Sequence, residues 1–257
     1  MPLMTFEEYK NIKKHNIPYF YIIKFGDNFL YYFGEKHSFD FQDGQWVVMK
    51  NFWSDFLENT INKKRIVFIE SGKPVIKETE EKAIREGGGS GLATFLASKE
   101  NIGVICPEPN MSYQFSELEK YFKHEEIEYY FFARTVAQWH RNNPKPDFKK
   151  YIQSFLDRDK KASGWDDIDF TVEGMEKIHK NIFNTEFNQE DRNFFVETAS
   201  PVKLKTVVNK VNRRCSDIRN LYIIEQIKKY TDEGYSIFLE YGAAHAVMQE
   251  PLLRETL

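Results

Sequence analysis

The chain has 257 residues, enough to bury a core without help from disulfides or a structural metal. Its 36 Lys and Arg stand against 39 Asp and Glu, a formal net charge of −3 with a pI near 6.1, which excludes the strongly basic footprint of a dedicated nucleic-acid binder. Phe 23, Tyr 14 and Trp 4 are too many aromatics for a disordered chain.

The N-terminal stretch Met1-Pro2-Leu3-Met4-Thr5-Phe6-Glu7-Glu8 lacks a basic start followed by an apolar run, so no secretory leader is expected. Residues 19–24 and 28–33 are β-branched and aromatic runs on either side of Phe25-Gly26-Asp27, which predicts a hairpin turned by Gly26. From Trp46 to Ile61 the apolar residues fall at helical spacing, and Ile66-Val67-Phe68-Ile69 comes next as a short buried strand. Residues 91–98 predict a helix, and 102–106 another buried strand stopped by Pro107 and Pro109. Between about 116 and 195 the composition turns to charged, helix-favouring stretches at 117–141, 147–158 and 172–183. The last section predicts a helix over 216–231, a turn at Asp232-Glu233-Gly234, a strand over 236–241 and a final helix from Ala244. The fold class is therefore α/β: one domain over 1–257 with a mostly parallel central sheet flanked by helices, and a helical insertion at about 121–204.

Cys106 and Cys215 are the only cysteines, which excludes a disulfide framework or a paired-CxxC zinc site and suits a reducing, cytoplasmic setting. No apolar run approaches membrane-spanning length. The expected partner is a small-molecule or peptide substrate, with neither nucleic acid nor membrane; the oligomeric state stays open.

Chemistry concentrates at strand ends. Gly34-Glu35-Lys36-His37 comes directly after the strand ending at Phe33, and Gly242-Ala243-Ala244-His245 after the strand ending at Tyr241, so one strand-Gly-x-x-His device occurs twice. Glycine lets the backbone turn sharply or approach a ligand closely, and the imidazole then sits just beyond the strand. Glu70 and Glu108 end the other two apolar strands. In one parallel sheet His37, Glu70, Glu108 and His245 emerge at the carboxyl edge, where open α/β sheets place ligands.

These motifs resemble the superfamily that joins TraB/Tiki-type metallopeptidase-like proteins, erythromycin esterases and ChaN-type haem-binding lipoproteins. Phe33-Gly34-Glu35-Lys36-His37 matches its first GxxH-like motif, Val67-Phe68-Ile69-Glu70 its acidic strand, and Leu239-Glu240-Tyr241-Gly242-Ala243-Ala244-His245 its second GxxH-like motif. Ser216-Asp217-Ile218-Arg219-Asn220 resembles the Arg-Asn or Arg-Asp helix of the TraB/Tiki members, which carries the family arginine onto Arg219. The usual Gly-Glu-x-x-His of erythromycin esterases is one residue longer than Gly34-Glu35-Lys36-His37, which weighs against antibiotic esterase activity. The resemblance implies a hydrolase directing water onto an ester or amide bond. His37 is then the general base, Glu70 its orienting partner, His245 a second acid/base, and Arg219 a donor fork for a carboxylate or oxyanion. Glu35 and Glu108 complete the site as substrate-binding residues.

No tightly bound cofactor is expected. The ligand types of His37, Glu70 and His245 would still admit a divalent Mn, Co, Fe or Zn ion if the reaction uses a metal. Two other classes compete with the hydrolase: a ChaN-like haem- or metal-binding module without turnover, and a non-catalytic scaffold. Glu86-Gly87-Gly88-Gly89-Ser90-Gly91 lacks the Lys-Ser/Thr pair of a P-loop and the spacing of a nucleophile elbow, and is expected as a flexible loop rimming the pocket. His15, His124, His140 and His179 are expected to be exposed.

Overall fold

The computed structural model describes residues 3–12, 15–70, 72–203 and 205–257. Met1 and Pro2 of the N-terminal stretch, Ser71 after the second apolar strand, and Leu204 at the end of the expected helical middle lie outside the described residues. Two structural units divide the chain, one of residues 1–108 and 220–257, the other of residues 109–219.

The first unit runs α1 (Phe6–Asn11), β1 (Tyr19–Phe25), β2 (Asn28–Glu35), α2 (Gln45–Asn59), β3 (Lys64–Ile69), α3 (Glu80–Lys99) and β4 (Gly103–Ile105). The second unit holds α4 (Met111–Leu118), α5 (His124–Trp139), α6 (Phe148–Ser163), α7 (Val172–Phe183) and α8 (Arg192–Thr198). The boundary at 219/220 falls within α9 (Val207–Asp232), after which β5 (Tyr235–Gly242) and α10 (Ala243–Thr256) complete the first unit.

The described strands form one sheet in the order β1-β2-β5-β3-β4. Only β1 runs antiparallel, joined to β2 through Gly26 at φ +52°, a conformation glycine adopts without a Cβ penalty. The pairs β2–β5, β5–β3 and β3–β4 are parallel, so four strands deliver their carboxyl ends to one edge. Alternate residues of these strands feed two cores, as expected of strands covered on both faces. Tyr31, Phe33, Val67 and Phe238 pack with Trp46, Trp53 and Phe56 of α2 and with Leu92 of α3. Leu30, Tyr32, Phe68 and Leu239 pack with Ile223 and Ile227 of α9 and with Ala246 and Leu253 of α10. Each buried Leu, Ile, Val or Phe among them contributes roughly 1.5–3 kcal/mol through burial.

The sequence expectation and the structure differ at several places, each for a local reason. The stretch 117–141 is two helices, because Lys123 is extended and its N–H donates to Glu126 Oε2 at 3.0 Å, starting α5 afresh. Helix α6 continues to Ser163, where Gly164 at φ +70° ends it. Helix α9 begins at Val207 rather than Ser216, α1 forms where no helix was expected, and α8 lies within the expected helical region but outside the stretches singled out in it. His179 is buried instead of exposed: its Nδ1 meets the Tyr129 hydroxyl at 2.6 Å and its Nε2 meets Thr185 Oγ1 at 3.1 Å. These two bonds satisfy a ring that its helical surroundings in sequence gave no sign of burying.

The second unit has an aromatic core around Phe115, Phe131, Phe132, Met175 and Phe195. Within it Glu128 is fully buried, and neither carboxyl oxygen has a partner among the described residues. Burial, followed by the charge of Asp159, pushes its proton affinity well above the ordinary 4.5. The native chain therefore holds a proton there that the unfolded chain releases near pH 4.5, and stability falls as pH rises from that point toward the raised native value. Glu128→Leu is expected to stabilise the protein at pH 7 by about 1–3 kcal/mol, with a gain that shrinks toward pH 4. Urea unfolding at both pH values measures this; a variant less stable than wild type at pH 7 would refute it.

Candidate functional site

The site grows from the register of β2 and β5. Glu35 lies opposite Gly242 and Phe33 opposite Glu240, while Ile69 of β3 faces Glu240 from the other side. Both Gly-x-x-His segments thus leave neighbouring parallel strands at the same edge. Their glycines are places of close approach: a Cβ on Gly34 would lie 2.7 Å from Ala246 Cβ, and one on Gly242 would lie 2.9 Å from His37 Nε2.

His37, Glu70 and His245 come together there. Glu70 Oε2 accepts the Gly242 N–H at 2.6 Å and stands 3.9 Å from His37 Nε2, and its Oε1 stands 3.7 Å from His245 Nε2. Each imidazole is oriented from behind. His37 Nδ1 lies 3.0 Å from Glu35 Oε1, and His245 Nδ1 lies 2.6 Å from Asn220 Oδ1, which also accepts from Gln249 Nε2 at 2.8 Å. Acceptors at both Nδ1 positions assign the Nδ1–H tautomer to each neutral ring and leave both Nε2 atoms turned toward one carboxylate. The His37 side chain is 66% exposed and that of His245 only 15%, so the two rings meet solvent unequally.

Behind His37 lies a second carboxylate. Glu240 is fully buried, and its Oε2 accepts from the Ser90 hydroxyl at 2.6 Å. Glu35 Oε2 and Glu240 Oε1 lack hydrogen-bond partners among the described residues, and they fall 2.3 and 2.7 Å from the point where a Cβ on Gly89 would be. Burial raises the proton affinity of both, opposed at Glu35 by the bond to His37 and augmented at Glu240 by the neighbouring Glu35. The Gly-rich segment 86–91 is therefore no loop. It lies inside α3 and is kinked at Gly88 (φ 56°, ψ −138°), which lets the helix backbone press against the two carboxylates.

Glu108 ends the first unit after β4, and its charge reaches the Tyr32 hydroxyl. That hydroxyl donates to Gln249 Oε1 at 3.0 Å and is held protonated by burial first, then by Tyr241 and the glutamates. Arg219 is the last residue of the second unit, where its charge bears on Tyr130 and Arg134. Sequence reasoning gave no role to Glu240, Ser90, Asn220 or Gln249. Three of them carried a signal: Glu240 as an ionisable residue inside the apolar run 237–241, Asn220 in the segment resembling the Arg-Asn helix, and Ser90 in the segment expected to rim the pocket.

The two imidazoles and Glu70 are a chemically suitable donor set for a borderline divalent ion. As placed they do not fit one: the Nε2 atoms face different oxygens across 3.7 and 3.9 Å, with Gly242 packed against His37. Among the described residues no group of three or more His, Cys, Asp or Glu side chains is arranged to hold a metal ion. No described helix is long and apolar enough to cross a membrane. No family model, curated protein or solved structure matches the chain.

Proposed function

We propose that the protein is a hydrolase of ester or amide bonds, working by histidine and glutamate acid/base chemistry at the carboxyl edge of the sheet. The observation that carries this reading is the approach of His37 Nε2 and His245 Nε2 to the two oxygens of Glu70. His37, the more exposed ring, takes a proton from water at Nε2 as that water attacks the substrate carbonyl. Its Nδ1–H remains on Glu35, whose negative charge offsets the imidazolium, and Glu70 adds a second negative charge on the other side. His37 then returns that proton from Nε2 to the leaving group, which restores the neutral ring, while His245, held by Asn220 at Nδ1, is read as the second acid/base residue facing Glu70. The all-helical unit 109–219 is then read as an insertion in the α/β unit that carries this chemistry.

A screen of small ester and amide substrates with wild type, His37→Ala and His245→Ala tests the reading. Turnover lost in both variants is the expected result, and turnover unchanged in both would overturn it. Without a fitting ligand set, the protein as purified is expected to carry well under one equivalent of Mn, Co, Fe or Zn. Elemental analysis before and after dialysis checks this: a stoichiometric ion that survives dialysis would move His37 from base to ligand.

A further inference from the structure

Next to this site, between residues 73–77 and the kinked α3, lies a cavity of about 220 Å³. That is smaller than the roughly 300–1,000 Å³ of pockets for drug-sized ligands, so its occupant is small. The cavity joins the site at two points: Ile69 of its lining precedes Glu70, and Ser90 of its lining donates to Glu240.

The chemistry of the lining is asymmetric. On the α3 side the Ser90 hydroxyl hydrogen is committed to Glu240 and the Thr94 hydroxyl hydrogen to the Ser90 carbonyl at 2.7 Å. Both oxygens are left with lone pairs, so this wall accepts hydrogen bonds. On the other side stand two ammonium groups. Lys77 is held by Glu86 at 2.5 Å, whereas Lys73 has no ion pair among the described residues. One positive charge is therefore uncompensated at the lining, and Ile69 supplies the apolar floor.

We infer that this cavity binds a small organic anion bearing an N–H or O–H group, its anionic end at Lys73 and its donor at Ser90 and Thr94. N-acylated amino acids and hydroxy acids have this chemistry. The assignment rests on the hydrolase reading only in calling the anion part of the substrate; binding stands by itself. Gly87 makes the cavity testable. It lines the space, has no positive φ, and a Cβ added there meets nothing within 4 Å, so a larger side chain enters the cavity without displacing the fold.

The experiment titrates N-acetylglycine, its neutral amide and acetate into the full chain, followed by the methyl resonances of Ile69 and Thr94. N-acetylglycine is expected to shift both methyls and to bind at least about tenfold more tightly than either its amide or acetate. Lys73→Ala is expected to weaken it severalfold, and Gly87→Leu to abolish it. Unmoved methyls, equal affinity for the neutral amide, or undiminished binding to Gly87→Leu would each overturn the assignment. Turnover of other substrates in any of those cases would leave the hydrolase reading standing, and binding without any turnover would do the reverse.

Discussion

His37→Ala is expected to lower kcat/KM by about 10²–10⁴-fold, while Lys36→Ala changes it less than about twofold. The two side chains are neighbours and almost equally exposed, 66% and 68%, so solvent access does not separate them. Their partners do. Lys36 reaches Asp43 at the surface at 3.5 Å, whereas His37 has Glu35 behind Nδ1 and Glu70 before Nε2. An exposed pair of the first kind contributes little to stability, about 0–1 kcal/mol. Truncating the ring leaves the buried Glu35 Oε1 without its His37 partner, so urea unfolding of His37→Ala should show a loss of about 1–3 kcal/mol, too small to unfold the protein and so account for the lost rate. Steady-state kinetics on a substrate from the screen decide the point, and equal losses in the two variants would reduce His37 to a surface residue.

Gly89→Ala is expected to destabilise the protein by about 1–3 kcal/mol, although alanine is the better helix former by about 1 kcal/mol. The added methyl would fall within 2.7 Å of an oxygen of each buried carboxylate, which forces Glu35 and Glu240 apart and shifts the anchor of His37. Activity should fall with it by about 10–100-fold, since misplaced catalytic groups lose rate steeply. Gly87→Ala is the matched control: its methyl enters open space, and a gain of up to about 1 kcal/mol is expected. The carboxylate pair also gives wild type a pH signature. Both groups keep protons in the fold above the ordinary 4.5, so their contribution to stability declines as pH rises from there. Unfolding curves at pH 5 and pH 8 should show wild type losing stability, and Glu240→Gln, which cannot ionise there, losing less. A Gly89→Ala protein as stable as Gly87→Ala would mean that the packing around the pair is loose.

Much of the first unit was legible because its strands and helices carry strong periodicity. The hairpin announced itself through Gly26, α2 through Trp46, Phe52 and Phe56, and the buried strands through 66–69 and 237–241. The grouping of His37, Glu70 and His245 was legible for a topological reason, since adjacent parallel strands must release their C-terminal loops at one edge. The Gly-rich segment misled because glycine disfavours helix in isolation, and tertiary contact with Glu35 and Glu240 overrides that preference here. The role of Glu240 was hidden for the same reason, as its neighbours Ser90 and Gly89 come from α3, some 150 residues earlier in the chain. The break between α4 and α5 is marked by extended Lys123, whose N–H donates to the Glu126 carboxylate, a local cap that composition does not reveal.

The strand order β1-β2-β5-β3-β4 places the last of the described strands at the centre of the sheet. Until residues 235–242 leave the ribosome, β2 and β3 each present a bare, apolar edge, and the hairpin and the βαβ half have no backbone bonds to join them. Those same residues bring Glu240, and α10 then brings His245, so the side chains grouped around Glu70 are complete only when the sheet closes. An interrupted nascent chain therefore carries two adhesive strand edges and an incomplete side-chain cluster at once, a natural client for chaperones.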